Sequence, residues 1–295
     1  MNKSKIDVYT LIKPEIEKLK KNGCETASLD CRLLLSKVIK KADPVYMHQD
    51  IFITDNEINK FRVLISQRAE GKPVSRIINK RSFWKRDFKL NEEALDPRAD
   101  SEVLITTILK YYPNLHEKLN ILDLGSGSGC LGLSLLEEYK NSYVTFVDIS
   151  EKSLQIAKLN AKEFSLADRS KFYNCDWNEK DWDRNLLEFV EQSKFDIVVS
   201  NPPYIPTNDI KLLKTEVKNF DPMTALDGGE DGLIAYKSIF LRLKNLLKDK
   251  GKVFVEIGEG QQSSVSKIGI ENNFLEIGYE KDLSGIVRVI IFLAK

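Results

Sequence analysis

The sequence predicts an α/β fold in which a mostly parallel, seven-stranded sheet carries helices between its strands and follows a small helical domain. Three observations predict it. From Asn120 onward short apolar runs alternate with helical stretches, as parallel βαβ units require. Before about Gly71 the apolar residues recur at helical spacing. The last two apolar runs are separated by Ser284-Gly285, which leaves no room for a helix, so the final strand should return antiparallel.

Each element follows in order. Leu11, Ile12, Ile16 and Leu19 mark a first helix, and Leu33, Leu34, Val38 and Ile39 a second. A third is capped by Asp55, buries Ile58, Phe61, Leu64 and Ile65, and ends before Gly71 and Pro73. Over Arg81 to Leu95 an imperfect alternation sets Phe83, Lys85, Asp87 and Lys89 against Trp84, Arg86 and Phe88, which predicts a short hairpin or an extended linker. After Asp96-Pro97-Arg98 a helix starts near Asp100 with the stripe Val103, Leu104, Thr107 and Ile108. The expected strands are Ile121 to Leu124, Tyr143 to Asp148, Lys171 to Cys175, Asp196 to Ser200, Lys252 to Ile257, Phe274 to Lys281 and Ile286 to Leu293. The expected domains are 1–78, helical; 79–99, hairpin or linker; and 100–295, the sheet.

Composition sets bounds on function. Hydrophobic residues make up 42% and charged residues 30%, enough apolar material for a sizeable core. With 45 Lys plus Arg against 44 Asp plus Glu, the net charge of +1 gives no reason to expect nonspecific binding to nucleic acid or to an anionic membrane. Cys24, Cys31, Cys130 and Cys175 form no C-x-x-C pair and have no histidine at metal-ligand spacing, so they read as reduced thiols and no metal is expected. The polar start and the lack of any run near the roughly 20 apolar residues of a membrane span predict a cytoplasmic protein.

A glycine-rich turn, Gly125-Ser126-Gly127-Ser128-Gly129, follows the first strand of the sheet directly. Glycine lets the backbone turn sharply and approach a ligand closely, and the N-terminus of the helix that follows presents free N–H groups. Gly127, Gly129 and Gly132 also satisfy the G-x-G-x-x-G spacing of dinucleotide enzymes. Asp123 two residues before the loop, and glycines beginning right at the strand end, instead resemble the methyltransferase pattern and favour S-adenosylmethionine. Asp148 ends the second strand, where a carboxylate accepts from both ribose hydroxyls of either cofactor. After the third strand, Asp176-Trp177 offers adenine an acceptor and an aromatic wall, with Trp182 as the competing indole.

The fourth strand runs into Asn201-Pro202-Pro203-Tyr204, at the sheet edge where open α/β folds keep their ligands. Two prolines cannot extend a central strand, but they hold a carbonyl and a side chain rigidly. A carboxamide or adenine amino nitrogen is a poor nucleophile because its lone pair is delocalised. Two acceptors aimed at its N–H bonds, the Asn201 side-chain oxygen and the Pro202 carbonyl, orient it and favour the partial positive charge of the transition state. The Tyr204 ring can hold the planar group. No strong base is needed, in keeping with a chain whose two histidines, His48 and His116, form no Ser-His-Asp set.

These residues, with Ala69 to Val74, Phe83-Trp84, Leu95 to Glu102, Ala225 to Leu233, Glu256-Ile257-Gly258 and Asp282 to Gly285, resemble the HemK/PrmC family of protein-(glutamine-N5) methyltransferases. The resemblance implies a class I methyltransferase, Rossmann-like fold and transfer of a methyl group from S-adenosylmethionine to the glutamine of the Gly-Gly-Gln loop of class 1 peptide chain release factors. It implies an N-terminal domain that helps to dock the release factor. By residue it implies cofactor contacts at Gly125 to Gly129, Asp148, Trp177 and Asn201, and substrate contacts at Asn201, Pro202, Pro203 and Tyr204. This chain departs from the family at Ala99, where a second proline is usual, and over Ser75 to Lys80, which lack the usual tyrosine and glycine. The pocket chemistry alone leaves open a ribosomal-protein glutamine or an adenine amino group as the acceptor, and a non-catalytic docking protein is the rival from another class. Arg98 and Glu102 read either as a border of the cofactor site or as a surface charge pair. A monomer is expected.

Overall fold

The computed structural model describes residues 3 to 295. The chain divides into two compact units, one running to Lys80 and including Lys214–Phe220, the other made of Arg81–Leu213 and Asp221–Lys295.

The first unit holds β1 (Ser4–Asp7), α1 (Val8–Lys21), α2 (Ala27–Val38), β2 (Asp50–Ile53), α3 (Asp55–Ala69) and α4 (Val74–Ile78). Of the residues the helical spacing selects, Ile12, Ile16, Leu19, Leu34, Phe61 and Ile65 are buried in its core, whereas Leu11, Val38, Ile39, Ile58 and Leu64 are half-buried against it. The cap of α3 is Thr54 and not Asp55. Thr54 Oγ1 accepts from the Glu57 backbone while the Glu57 carboxylate accepts from the Thr54 N–H at 2.8 Å, a reciprocal box that Asp55 is placed one residue too late to make. The antiparallel pairing of β1 with β2 is a second addition to the helical expectation; β2 alternates exposed and buried residues, but its exposed Phe52 is apolar and hides the alternation in the sequence. The segment Lys214–Phe220 belongs here because Arg68, buried in α3, bonds both Asp30 and Glu216 at 2.6 Å, and Glu216 sits on the one-turn helix α9 (Thr215–Lys218).

The second unit begins at Arg81, one residue into the short strand β3 (Lys80–Phe83), which pairs with β4 (Arg86–Lys89). It continues as α5 (Glu102–Tyr111), β5 (Asn120–Leu124), α6 (Cys130–Glu138), β6 (Tyr143–Asp148), α7 (Glu151–Glu163), β7 (Ser170–Asn174), α8 (Trp182–Phe189), β8 (Phe195–Ser200), α10 (Ile234–Leu246), β9 (Leu247–Glu256), α11 (Gln262–Glu271), β10 (Phe274–Lys281) and β11 (Val287–Ala294). The sheet order is β10-β11-β9-β8-β5-β6-β7, parallel from β9 to β7. As expected, β11 is antiparallel, and it lies between β10 and β9.

The central strands are apolar on both faces, and side-chain alternation divides them cleanly. Leu122, Leu124, Val198, Val253, Val255 and Ile290 enter one core with residues of α8, α10 and α11. Ile121, Ile197, Val199, Phe254 and Ile291 enter the other with residues of α5 and α6. At Gly132 in α6, a Cβ would stand 2.4 Å from the Phe146 ring and 2.8 Å from Val144. Glycine there lets the helix lie against the sheet, and this close packing brings the loop before α6 to the sheet edge.

Candidate active site

The carboxyl ends of β5, β6 and β8 open into one cleft, and Gly125, Gly127, Asp148, Trp177, Asn201 and Pro203 line it. The loop is shaped by the strand beside it: the N–H groups of Gly125 and Ser126 both donate to the Val147 carbonyl, at 2.8 and 3.0 Å. Gly125 needs its missing side chain twice. Its φ is +73°, and a Cβ would meet the Trp177 ring at 3.2 Å. Ser126 and Ser128 are buried beneath the loop, and Gly129 packs against Ala157 and Leu133. Of the five loop residues, only Gly125 and Gly127 line the cleft.

Asp148 is clamped by Gly127 N–H at 2.8 Å and by Ser150 N–H at 2.9 Å, one donor to each oxygen. Burial raises its proton affinity and those two donors oppose it. Each oxygen keeps a lone pair for a further donor, the arrangement that a pair of ribose hydroxyls requires. The two indoles separate. Trp177 lines the cleft, whereas Trp182 is fully buried among Leu186, Phe195 and Leu243 in the core. Asp176 uses one oxygen to accept from the Asn178 backbone and side chain, both at 2.8 Å.

At the end of β8, Asn201 Nδ2 donates to the Ser101 hydroxyl at 3.0 Å. No donor among the described residues takes Asn201 Oδ1 or the Pro202 carbonyl, and of these two successive residues Asn201 lines the cleft. Pro202 is buried and Pro203 lines the cleft wall. The Tyr204 carbonyl accepts from Gln261 Nε2 at 2.9 Å, and its hydroxyl stands 3.5 Å from the Glu256 carboxylate. Burial pushes the Tyr204 phenol well above its usual range, so it is a neutral donor.

Several neighbours carry no motif of their own. Leu95, Ile149, Thr224 and Ala225 line the cleft, and Ser101 and Glu256 stand behind it. All but Ile149 lie in segments that carry the family resemblance or directly adjoin one, which is the signal that could have found them; Ile149 is marked only by following Asp148. Arg98 and Glu102 do not pair with each other: Arg98 bonds Asp221, and Glu102 accepts from the Trp84 N–H at 2.8 Å. Asp227 closes its turn by accepting from Thr207 Oγ1 at 2.7 Å and from Gly229 N–H at 2.9 Å.

Residues fit an adenosine-type cofactor on three counts. Ser126 Oγ is buried without a partner among the described residues, Gly125 and Trp177 form a cradle that a Cβ would fill, and Asp148 presents an acceptor pair. A seven-stranded sheet with a reversed last strand and this loop at its carboxyl edge defines a class I, S-adenosylmethionine-dependent methyltransferase.

Comparison with known proteins narrows the class. Residues 93–218 match the Methyltransferase small domain and residues 12–78 the PrmC N-terminal domain. A release factor glutamine methyltransferase of Agrobacterium fabrum is 37% identical over 94% of this chain and 93% of its own length. One of Clostridium acetobutylicum is 35% identical over 92% and 93%. The chain belongs to the release factor glutamine methyltransferase family. It spans little more than half of the bifunctional methyltransferases it also matches, 57% of that of Rickettsia conorii at 32% identity. Among solved structures, the catalytic domain of hMettl16, crystallised with an RNA hairpin, shares the fold at a TM-score of 0.53, with 15% identity and 84% of each chain covered.

Proposed function

We propose that this protein transfers a methyl group from S-adenosylmethionine to the side-chain nitrogen (N5) of the glutamine in the Gly-Gly-Gln motif of class 1 peptide chain release factors. The observation that carries the reading is Asn201 on the lining of a glycine-loop cleft, with its Nδ2 held by Ser101 and no donor among the described residues on its Oδ1 or on the carbonyl of the Pro202 that follows. Membership of the release factor glutamine methyltransferase family selects glutamine over adenine as the planar nitrogen they hold.

When bound, the cofactor supplies an electrophilic methyl group on a sulfonium. Gly125 to Gly129 would hold its amino-acid portion, Asp148 would accept from its ribose hydroxyls, and Trp177 would border its adenine. Asn201 and Pro202 accept from the two N–H bonds of the glutamine amide and so aim its nitrogen, while Pro203 and Tyr204 confine the planar group. As nitrogen gains positive charge, both acceptors bind more strongly, which favours the transition state over the ground state. The proton lost afterwards comes from a strongly acidic cation and needs no dedicated base. The N-terminal unit docks the release factor, and the protein acts as a cytoplasmic monomer without stable binding to nucleic acid.

Mass spectrometry of a release factor incubated with the protein and S-adenosylmethionine tests this. The expected product carries one added methyl group on the glutamine of the Gly-Gly-Gln motif. Methylation found only on a ribosomal protein, or only on nucleic acid, overturns it.

A further inference from the structure

We infer that Gln261 is a positioning residue for the transfer step: its side-chain amide ties the Asn201 to Tyr204 turn to two other segments and so fixes the turn against the cleft. The inference rests on the methyl-transfer reading above.

The turn has little with which to anchor itself. β8 ends at Ser200, and Pro202 and Pro203 have no N–H to give, so two successive residues beyond the strand offer carbonyls alone. What is held is the carbonyl of Tyr204, which accepts from Gln261 Nε2 at 2.9 Å. The same nitrogen donates to the Gly232 carbonyl at 3.3 Å, and Gln261 Oε1 accepts from the Gly258 N–H at 2.9 Å. One amide therefore joins the turn after β8, the loop that leads from Ala225 on the cleft lining to α10, and the residues that follow β9.

Every partner is a backbone group with a single sense. A peptide N–H only donates and a peptide carbonyl only accepts, so one orientation of the amide satisfies all of these contacts. Half a turn about its terminal torsion would set Nε2 against the Gly258 N–H and Oε1 against the carbonyls. The fit is also close. A Cβ at Gly232, where φ is +72°, would lie 2.4 Å from the Tyr204 carbonyl oxygen and 2.6 Å from Gln261 Nε2, and one at Gly258 would lie 2.9 Å from Gln261 Oε1. Glycine at both positions leaves room for the amide. Gln261 itself is carried on a fixed base: its N–H donates to the Gly258 carbonyl at 3.2 Å, its carbonyl accepts from Val265 at 3.0 Å, and Val265 and Ile268 of α11 are buried in the core. Without the amide, the Tyr204 backbone loses this tie and the turn can shift, carrying Pro203 on the cleft wall with it. A displacement of the acceptor nitrogen by a fraction of an ångström slows an in-line transfer while leaving the cofactor cradle of Gly125, Asp148 and Trp177 in place.

The test compares wild type, Gln261→Met, Gln261→Glu and Gln262→Ala for methylation of a release factor, with S-adenosylmethionine affinity measured separately by calorimetry and folding by thermal unfolding. Gln261→Met keeps the length of the side chain and removes its hydrogen bonds. It is expected to lower kcat about tenfold, the scale of a loosened reacting group, with KM and cofactor affinity within about twofold. Gln261→Glu keeps an acceptor for Gly258 but turns a carboxylate oxygen toward two carbonyls, and is expected to lower kcat at least as far with the same split. Gln262→Ala alters the next residue, at the start of α11, and is expected to keep the wild-type rate, which separates the Gln261 amide from the helix that carries it.

An unchanged kcat in folded, cofactor-binding Gln261→Met overturns the inference, as does a loss confined to KM or cofactor affinity, or one that Gln262→Ala reproduces. Should Gln261→Met fail to fold, Gln261→Glu decides by the same readings. A wild-type protein that methylates no release factor overturns the proposed function, and the inference falls with it. An active wild type matched by its Gln261 variants overturns the inference alone.

Discussion

Gly125 and Trp177 stand so close that a Cβ added at Gly125 would lie 3.2 Å from the indole. The contact spans two connections of the sheet, one leaving β5 and the other leaving β7, and it sets the width of the cleft between them. Gly125→Ala adds a methyl group against the ring and forces alanine to a φ of +73°, which costs about 1–2 kcal/mol. Calorimetry is expected to show S-adenosylmethionine affinity reduced about tenfold, a 1.4 kcal/mol effect, together with a modest fall in Tm. Wild-type affinity in this variant would remove Gly125 from the cofactor site.

The two neighbouring indoles are expected to behave oppositely. Trp182 is fully buried, and its indole N–H finds no partner among the described residues, so only packing is lost on truncation. Trp182→Ala is expected to cost about 3–5 kcal/mol of stability in denaturant unfolding, the range for a large aromatic in a core. Trp177→Ala is expected to leave stability within about 1 kcal/mol and to weaken cofactor binding several-fold, since its ring borders the cleft. The reverse pattern would exchange their roles.

Asn201→Ala separates binding from chemistry. With Oδ1 gone, one of the two acceptors proposed for the glutamine N–H bonds is lost, while Gly125, Asp148 and Trp177 still line the cleft. Turnover is expected to fall about 10²-fold or more, the scale of deleting a fixed polar group at a reacting centre, with most of the cofactor affinity kept. Comparable losses in both quantities would make Asn201 a cofactor ligand first.

What was legible in the sequence was local. The glycine loop, Asp148 and the Asn201 to Tyr204 turn each occupy a strand end, and alternating apolar runs mark those ends without reference to the rest of the chain. Contacts across long stretches left no such mark. Ser101 and Asn201 are 100 positions apart, and nothing periodic in either segment announces that a hydroxyl will meet that amide. The ion pair that ties Glu216 to Arg68 is of the same kind, joining a late segment to the first unit. The cap of α3 was readable and was placed one residue late, because the deciding sign is Glu57 three positions beyond Thr54 and not the acidity of Asp55. Arg98 and Glu102 share a helix start and suggest a pair, yet each is held by a partner far away in sequence.

Asp123 makes the stability of the second unit depend on pH in an unusual direction. It is wholly buried at the end of β5, and burial pushes its carboxyl up to about 7; the Gly132 N–H, 2.9 Å from Oδ2, opposes this, and nearby Asp148 adds to it. In the unfolded chain the same group titrates near its ordinary value of about 3.9. The folded pKa is thus the higher one. The protonated carboxyl favours folding fully below about pH 4, and that contribution is lost as pH rises through about 7. Asp123→Asn preserves the shape and the acceptor for Gly132 but cannot ionise. Measured from pH 4.5 to 8, the difference in Tm between wild type and Asp123→Asn is therefore expected to move steadily in favour of the variant. A constant difference over that range would show that Asp123 keeps one charge state throughout, and its burial would then require a compensating partner inside the glycine-loop cleft.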